Sequence, residues 1–285
     1  MEKKISGWGN NNFTNSKIHF PKNISEIKNL IKAKTIARGL GRSYGDSSIQ
    51  PKSTIITTKL NKVITFNSTK GFLEAEAGIS IEEMLNLIVE KGWFLPVTPG
   101  SKQITLGGMV ASDVHGKNHH KDGSFKNHII NLKVVNGEKK LITCSAKSNK
   151  KLFKYTIGGM GLSGIIYSCK FKLKKINSNI IIQEKIKNNN LRQTINSIKK
   201  SQSWDYNVAW IDTSAKKKQL GRSILTRGKF SNTILKKNIF TKKNNRKIYI
   251  PKIFPNWFLN SFCIKILNNL YYNYTSLKKI NTNID

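Results

Sequence analysis

Three stretches dense in glycine punctuate the N-terminal part of this chain, and each can put backbone where side chains do not fit. They are ARGLGRSYGDS (Ala37 to Ser47), the long segment TPGSKQITLGGMVASDVHGKNHHKDGSFKNHII (Thr98 to Ile130) and GGMGLSGII (Gly158 to Ile166). The middle one also carries four of the five histidines. Glycine reaches left-handed dihedrals and allows another surface to approach the main chain closely. Three such loops in one half of a chain point to backbone pressed against a large ligand.

The segments around the loops alternate short helices and strands. Residues 1 to 20 read as polar and irregular, and Pro21 to Ala33 as an amphipathic helix with Ile24, Ile27, Leu30 and Ile31 on one face. Strands are expected at Thr35 to Ala37, Ser53 to Thr58, Phe72 to Ala77 and Gly164 to Lys174. Ser80 to Glu83 reads as a capping box opening a helix that Gly92 ends. HIINLKVV and KKLITCS form a hairpin around Asn136-Gly137, a pair preferred where both turn residues need positive φ. The mixture predicts an α+β fold rather than a doubly wound one.

After about Ile176 the texture changes. A helix is expected at Leu191 to Lys200, strands at Tyr206 to Asp212 and Ser223 to Thr226, a solvated turn at Lys216 to Lys218, and a mobile polar loop from Thr233 to Lys247. Ile253 to Thr275 is aromatic and aliphatic, interrupted by Asn and Lys. It reads first as a packing segment, because its pattern is not cleanly amphipathic, and second as an interfacial patch beside a lipid. No finishing element is visible before Asp285.

The formal charge of +35 would ordinarily raise nucleic acid as a partner. Only six of the 50 basic residues are Arg, however, and Arg is the side chain that reads phosphate bidentately. The lysines are spread along the chain with no recognition motif, so no nucleic-acid function is expected. Cys144, Cys169 and Cys263 form no CxxC and no zinc spacing, which predicts reduced thiols. No leader pattern and no long apolar run is visible, so the expected location is cytoplasmic, with peripheral membrane contact as a further expectation.

In the first loop, closely spaced glycines let successive amides converge on one anion, and Ser43 adds a hydroxyl; a diphosphate is the natural ligand. No helix pattern follows, so the dinucleotide fingerprint fails. In the central stretch, Pro99-Gly100 is a turn, Thr105 offers a hydroxyl, and Gly107-Gly108 permit contact with a flat ring or a phosphate. Metal binding by His115, His119 and His120 is disfavoured, because a glycine-containing segment is not expected to be helical and the usual Cys or carboxylate partners are missing. The alternative is a redox pocket in which His115 and Lys117 supply donors or positive charge.

Taken in order, ARGLGRSYGD, TPGSKQITLGG, DVHGKNHHKDGSFKNH and GGMGLSGII resemble the FAD-binding (PCMH-type) domain of the vanillyl-alcohol-oxidase-type flavoproteins, and within them the decaprenylphosphoryl-β-D-ribose 2-oxidase group. The likeness covers roughly residues 5 to 175, with a weaker one through YNVAWID, LGRSILTRG and IFPNW. It implies a two-lobe FAD domain over residues 1–175 and a substrate-binding domain with an antiparallel sheet over 176–285.

The resemblance also implies roles. Ala37, Arg38, Gly39, Leu40, Gly41, Arg42, Ser43, Tyr44, Gly45, Asp46 and Ser47 would wrap the FAD diphosphate. Gly100, Thr105, Leu106, Gly107 and Gly108 would line the cofactor, and Ser112, Asp113, Val114 and His115 would run beside the flavin ring. Gly164, Ile165 and Ile166 would offer backbone to the adenine half, while His115, Lys117 and Tyr44 would face the substrate. Relatives that attach the flavin covalently use a His where this chain has Arg42, so FAD is expected to be non-covalent. The implied reaction moves hydride from a secondary alcohol carbon of a sugar, expected to be a lipid-phosphate-linked pentose, giving a 2-keto sugar for a partner keto-reductase. An alditol or aldonolactone is the other substrate class, and a truncated, non-catalytic FAD-binding remnant the other function. Two departures bear on this. The chain ends before the Lys and Cys that approach the sugar in relatives, so the substrate domain is expected to be incomplete; and Val208 stands where the lipid-linked group carries a small polar residue.

Overall fold

The computed structural model describes residues 2–232 and 260–284. They form two compact units, Met1–Lys175 and Ile176–Asp285.

The first unit opens with a hairpin of β1 (Glu2–Ser6) and β2 (Phe13–His19), overturning the expectation of irregular chain. Only Ser16 and Ile18 of this hairpin are fully inward, so a lysine-rich edge leaves no apolar alternation to read. Helix α1 (Ile24–Leu30) is capped by Asn23, whose side chain accepts from the Glu26 amide. Strands β3 (Thr35–Arg38) and β4 (Ser53–Ile56) follow, and the first sheet has the order β1-β2-β4-β3, parallel from β2 onward. Ile27 of α1 and Ile55 of β4 are fully buried against Leu60, Val135 and Ile165.

The second sheet is antiparallel. Strands β5 (Val63–Asn67) and β6 (Phe72–Glu76) lead into α2 (Ile81–Ile88), where Ser80 and Glu83 complete the expected capping box and Gly92 adopts φ 79°. Helix α2 buries Ile81, Met84, Leu85 and Ile88, each worth ~1.5–3 kcal/mol against exposure. Then come β7 (Trp93–Phe94), α3 (Leu106–Ala111), α4 (His119–Asp122), β8 (Ile129–Val135), β9 (Leu141–Cys144), α5 (Lys150–Thr156), β10 (Ile165–Lys172) and β11 (Lys174–Lys175), which pairs with β7. The order is β5-β6-β10-β8-β9.

The β8–β9 turn differs from the two-residue one expected. Val135 pairs with Leu141, leaving a five-residue loop whose positive φ falls on Lys139. The Asn136 side chain accepts from the Lys140 amide at 2.9 Å and so closes the longer loop. Residues 119–122 are helical, against expectation, because Gly123 at φ 69° ends a single turn.

The second unit holds β12 (Ile180–Asn188), α6 (Leu191–Lys200), β13 (Tyr206–Ile211), β14 (Ser223–Phe230), α7 (Ser261–Tyr274) and β15 (Ile280–Asn283), with antiparallel sheet order β13-β14-β12-β15. Strand β15, which the sequence did not reveal, pairs with Ile180 to Gln183 of β12. The expected mobile loop at Thr233 to Lys247, and the start of the Ile253 to Thr275 segment, lie outside the described residues. The remainder of that segment is α7, which fully buries none of its residues but rests on the sheet, with the Tyr271 ring edge-on to Trp210 at 4.9 Å. Together the elements make the α+β fold expected.

Candidate functional site

The three glycine loops meet in the first unit around a cleft of about 450 Å³, within the range of small-molecule sites. Its walls are the ends of β3, β4 and β6, the start of α3 and the loop that enters β10.

The first loop carries nine lining residues from Ala37 to Ser47: Ala37, Arg38, Gly39, Leu40, Gly41, Arg42, Ser43, Tyr44 and Ser47. Arg38 fastens it from beneath, donating to the Ser6 carbonyl at 2.7 Å and to Ser48 Oγ at 3.3 Å. Burial pushes the Arg38 guanidinium below its ordinary pKa. Gly41 turns above it at φ 69°, and a Cβ there would strike the guanidinium. Arg42 crosses to the central segment, donating to the carbonyl and side-chain oxygens of Gln103. Trp8 donates its amide to the Ser43 carbonyl at 2.9 Å and sets its ring edge-on to Tyr44, centroids 5.4 Å apart. Gly45 and Asp46 belong to the loop but not to the cleft wall.

The central segment contributes Ile104, Thr105, Gly107, Gly108, Ala111, Ser112 and Val114. Thr105 caps α3, accepting from the Gly108 amide at 3.3 Å. Gly107 lies flat on β6: its amide donates to the Ala77 carbonyl at 2.7 Å, and a Cβ on it would stand 2.9 Å from that of Ala77. Leu106 points into the core and is fully buried, and Gly100 is exposed with open space around it; neither lines the cleft.

Asp113 is turned outward at φ 39°, where its carboxylate accepts from Ser124 Oγ at 3.0 Å and the Lys126 amide at 2.9 Å. It thereby fixes the backbone between Ser112 and Val114. His115 and Lys117 are exposed and stand beyond the cleft wall. The His115 ring meets that of His119 edge-on at 5.6 Å. Among the described residues no group of three His, Cys, Asp or Glu side chains gathers as a metal site would require.

The third loop supplies Met160, Gly161, Gly164 and Ile166. It is tied to α3 by bonds from the Gly158 and Met160 amides to the Val110 and Ala111 carbonyls. Strand alternation sends Ile165 the other way, into the cluster with Ile27 and Ile55. Sequence reasoning missed Met160, Gly161, Ser48, Thr57, Ala77, Ile104 and Ala111 as lining residues. Met160 and Gly161 lay within the third glycine stretch already noted, whereas Thr57 and Ala77 stand just past strand ends, a position visible only once the strands are paired.

Residues 17–145 match the family model described as the FAD binding domain. Over those residues the chain is similar to that FAD-binding domain. It is 30% identical to a decaprenylphosphoryl-beta-D-ribose oxidase of Mycolicibacterium smegmatis, over 95% of this chain and 62% of that protein. It is 26% identical to a D-arabinono-1,4-lactone oxidase of Kluyveromyces lactis, over 51% of this chain and 30% of the relative. A cytokinin dehydrogenase of Arabidopsis thaliana is 30% identical over 46% of this chain and 26% of its own length. The chain therefore spans under two thirds of each of these relatives.

The cleft fits the cofactor of the FAD-binding family. At Gly39 and Gly107 a methyl group would collide with Thr105 and Ala77, so bare backbone there is part of the wall. A flat ring system and a diphosphate need such surfaces, along with the fixed charge of Arg38 beneath the first loop.

Proposed function

We propose that this chain is the FAD-binding part of an oxidoreductase that takes a hydride from a secondary alcohol carbon of a sugar. The observation that carries the reading is the convergence of three glycine loops on one cleft inside the matched domain. Bound FAD supplies a two-electron acceptor there. The first loop holds the diphosphate through its amides, Arg38 and Ser43. Arg42 replaces the histidine that would tether the flavin, so the cofactor is held without a covalent bond. Ser112 and Val114 lie along the ring. Tyr44, His115 and Lys117, with Asp113 fixing the loop, form the substrate edge, where the Lys117 ammonium attracts a sugar phosphate.

The relative from M. smegmatis is named for a decaprenylphosphoryl ribose substrate, which supports a polyprenyl-phosphate pentose as the sugar. Oxidation of its secondary hydroxyl yields a 2-keto sugar as the hydride leaves and the hydroxyl proton is lost. A keto-reductase would then consume this product to complete an epimerisation. Residues 176–285 would be part of a substrate-binding domain.

The test is an absorbance spectrum of the purified chain, acid precipitation, and anaerobic addition of a polyprenyl-phosphate pentose. Flavin bands that pass into the supernatant and bleach with the sugar support the whole reading. Flavin left in the pellet overturns non-covalent binding. Flavin that no lipid-linked pentose bleaches, while an aldonolactone does, overturns the substrate class.

A further inference from the structure

We propose that the outward face of α7 is the surface by which this chain rests on an anionic lipid bilayer. Helix α7 is inverted for an element packed on its own sheet. Apart from the edge-on contact of Tyr271 with Trp210 at 4.9 Å, its inward contacts are mostly polar: Asn268 donates to Asp212 at 2.8 Å, and Asn269 accepts from Arg222 at 3.1 Å. The Tyr272 hydroxyl donates to Asn189 at 2.9 Å, with the Arg222 guanidinium 4.9 Å from the centre of its ring. Phe262, Ile266, Leu270 and Tyr274 recur every fourth residue and so form one stripe, exposed by 71%, 45%, 47% and 84%. A contiguous apolar stripe of this kind marks an interaction site.

Charge selects the occupant. From Ser261 to Asn283 there are three lysines, Lys265, Lys278 and Lys279, and no Asp or Glu; Lys279 pairs with Glu184 at 3.4 Å, so Lys265 and Lys278 carry the argument. Aromatic and aliphatic residues flanked by lysine suit the headgroup boundary of an anionic leaflet. The same lysines would repel one another if two copies of the chain met through this face. The inference rests on the proposed function only in taking a lipid-linked substrate as the reason to visit a membrane.

The experiment sediments the full chain with vesicles of phosphatidylcholine alone or mixed with phosphatidylglycerol. The Phe262→Ser/Leu270→Ser double variant removes the stripe, and Val63→Ser/Ile64→Ser on exposed β5 is the control. Circular dichroism and melting temperature establish that each variant is folded. Binding to the anionic vesicles is expected to exceed that to neutral ones by about ten-fold and to weaken with salt. It is expected to fall by a similar factor in the stripe variant and to persist in the control. Equal binding by the folded stripe variant, or equal binding to neutral vesicles, overturns the proposal. So does a wild-type dimer in sedimentation velocity that the stripe variant abolishes. Flavin content of the wild-type chain separates the two ideas: wild type that carries flavin but does not bind the anionic vesicles sinks only the lipid surface, and wild type that binds them without flavin sinks only the cofactor reading.

Discussion

The side chain of Thr105 occupies the space that a methyl group on Gly39 would need, so the first and central glycine loops meet with no side chain of Gly39 between them. Gly39→Ala is therefore expected to push the loops apart at the cleft. Flavin content after purification should drop by about ten-fold, equivalent to ~1.4 kcal/mol of binding. The double variant Gly39→Ala/Thr105→Gly frees the space and should regain part of the flavin, unless its lost cap at α3 dominates; unchanged flavin in Gly39→Ala itself would contradict the close approach.

Asp113 pins the cleft from outside. Replacing it by Ala removes the bonds from Ser124 and Lys126 while leaving a non-glycine residue at φ 39°, a combined cost of about 1–3 kcal/mol. Asp113→Gly relieves the backbone but not the bonds. Stability by urea titration should rank wild type above Gly and Gly above Ala; the reverse order of the two variants would show that the φ carries no strain.

In the second unit Asp212 is fully buried, with Arg222 donating at 2.8 and 2.7 Å. Burial alone would raise this carboxyl, but hydrogen bonds from Ser214, Arg222 and Asn268 hold it down to about 2. A depressed folded-state pKa gives stability that is fully present above the unfolded value, ~3.9, and is lost as pH falls toward 2. Wild type should thus lose stability between about pH 4 and pH 2, and Asp212→Asn should lose less over that range. At neutral pH Asp212→Ala strands a buried guanidinium and should cost about 3–5 kcal/mol in a denaturant melt.

The thiols should divide cleanly. Burial pushes the Cys144 thiol up to about 11, and burial, aided by nearby Glu74, raises that of Cys169 well above its ordinary value. Both are inaccessible, whereas Cys263 on α7 is half-exposed. A disulfide reagent at pH 8 should titrate one thiol in the native protein and all three after unfolding. Rapid reaction of two or more native thiols would show that β9 or β10 opens.

Much of the cleft was written in local sequence. Glycines at 39, 41, 107, 108 and 164 encode close approach residue by residue, and the Ser80–Glu83 cap and the α6 boundaries rest on interactions within one turn. The second wall of the site was not legible. Thr57 and Ala77 reach the cleft because β4 and β6 end there, and Ile165 leaves it because its strand neighbour Ile166 takes the inward side. Sequence also missed β1, β2, β5, β12 and β15, strands that pairing holds and no alternation in the sequence announced. It read residues 253–275 as packing first and lipid contact second, and could not show that Asn268, Asn269 and Tyr272, with Tyr271 on Trp210, are what α7 turns to the sheet. Local chemistry thus determined the glycine loops, the caps, helices α1, α2 and α6, and strands β3, β4, β6, β8, β9, β10, β13 and β14. Long-range pairing alone decided which of their residues share a cleft and which face of α7 meets solvent, because those depend on partners distant in the chain.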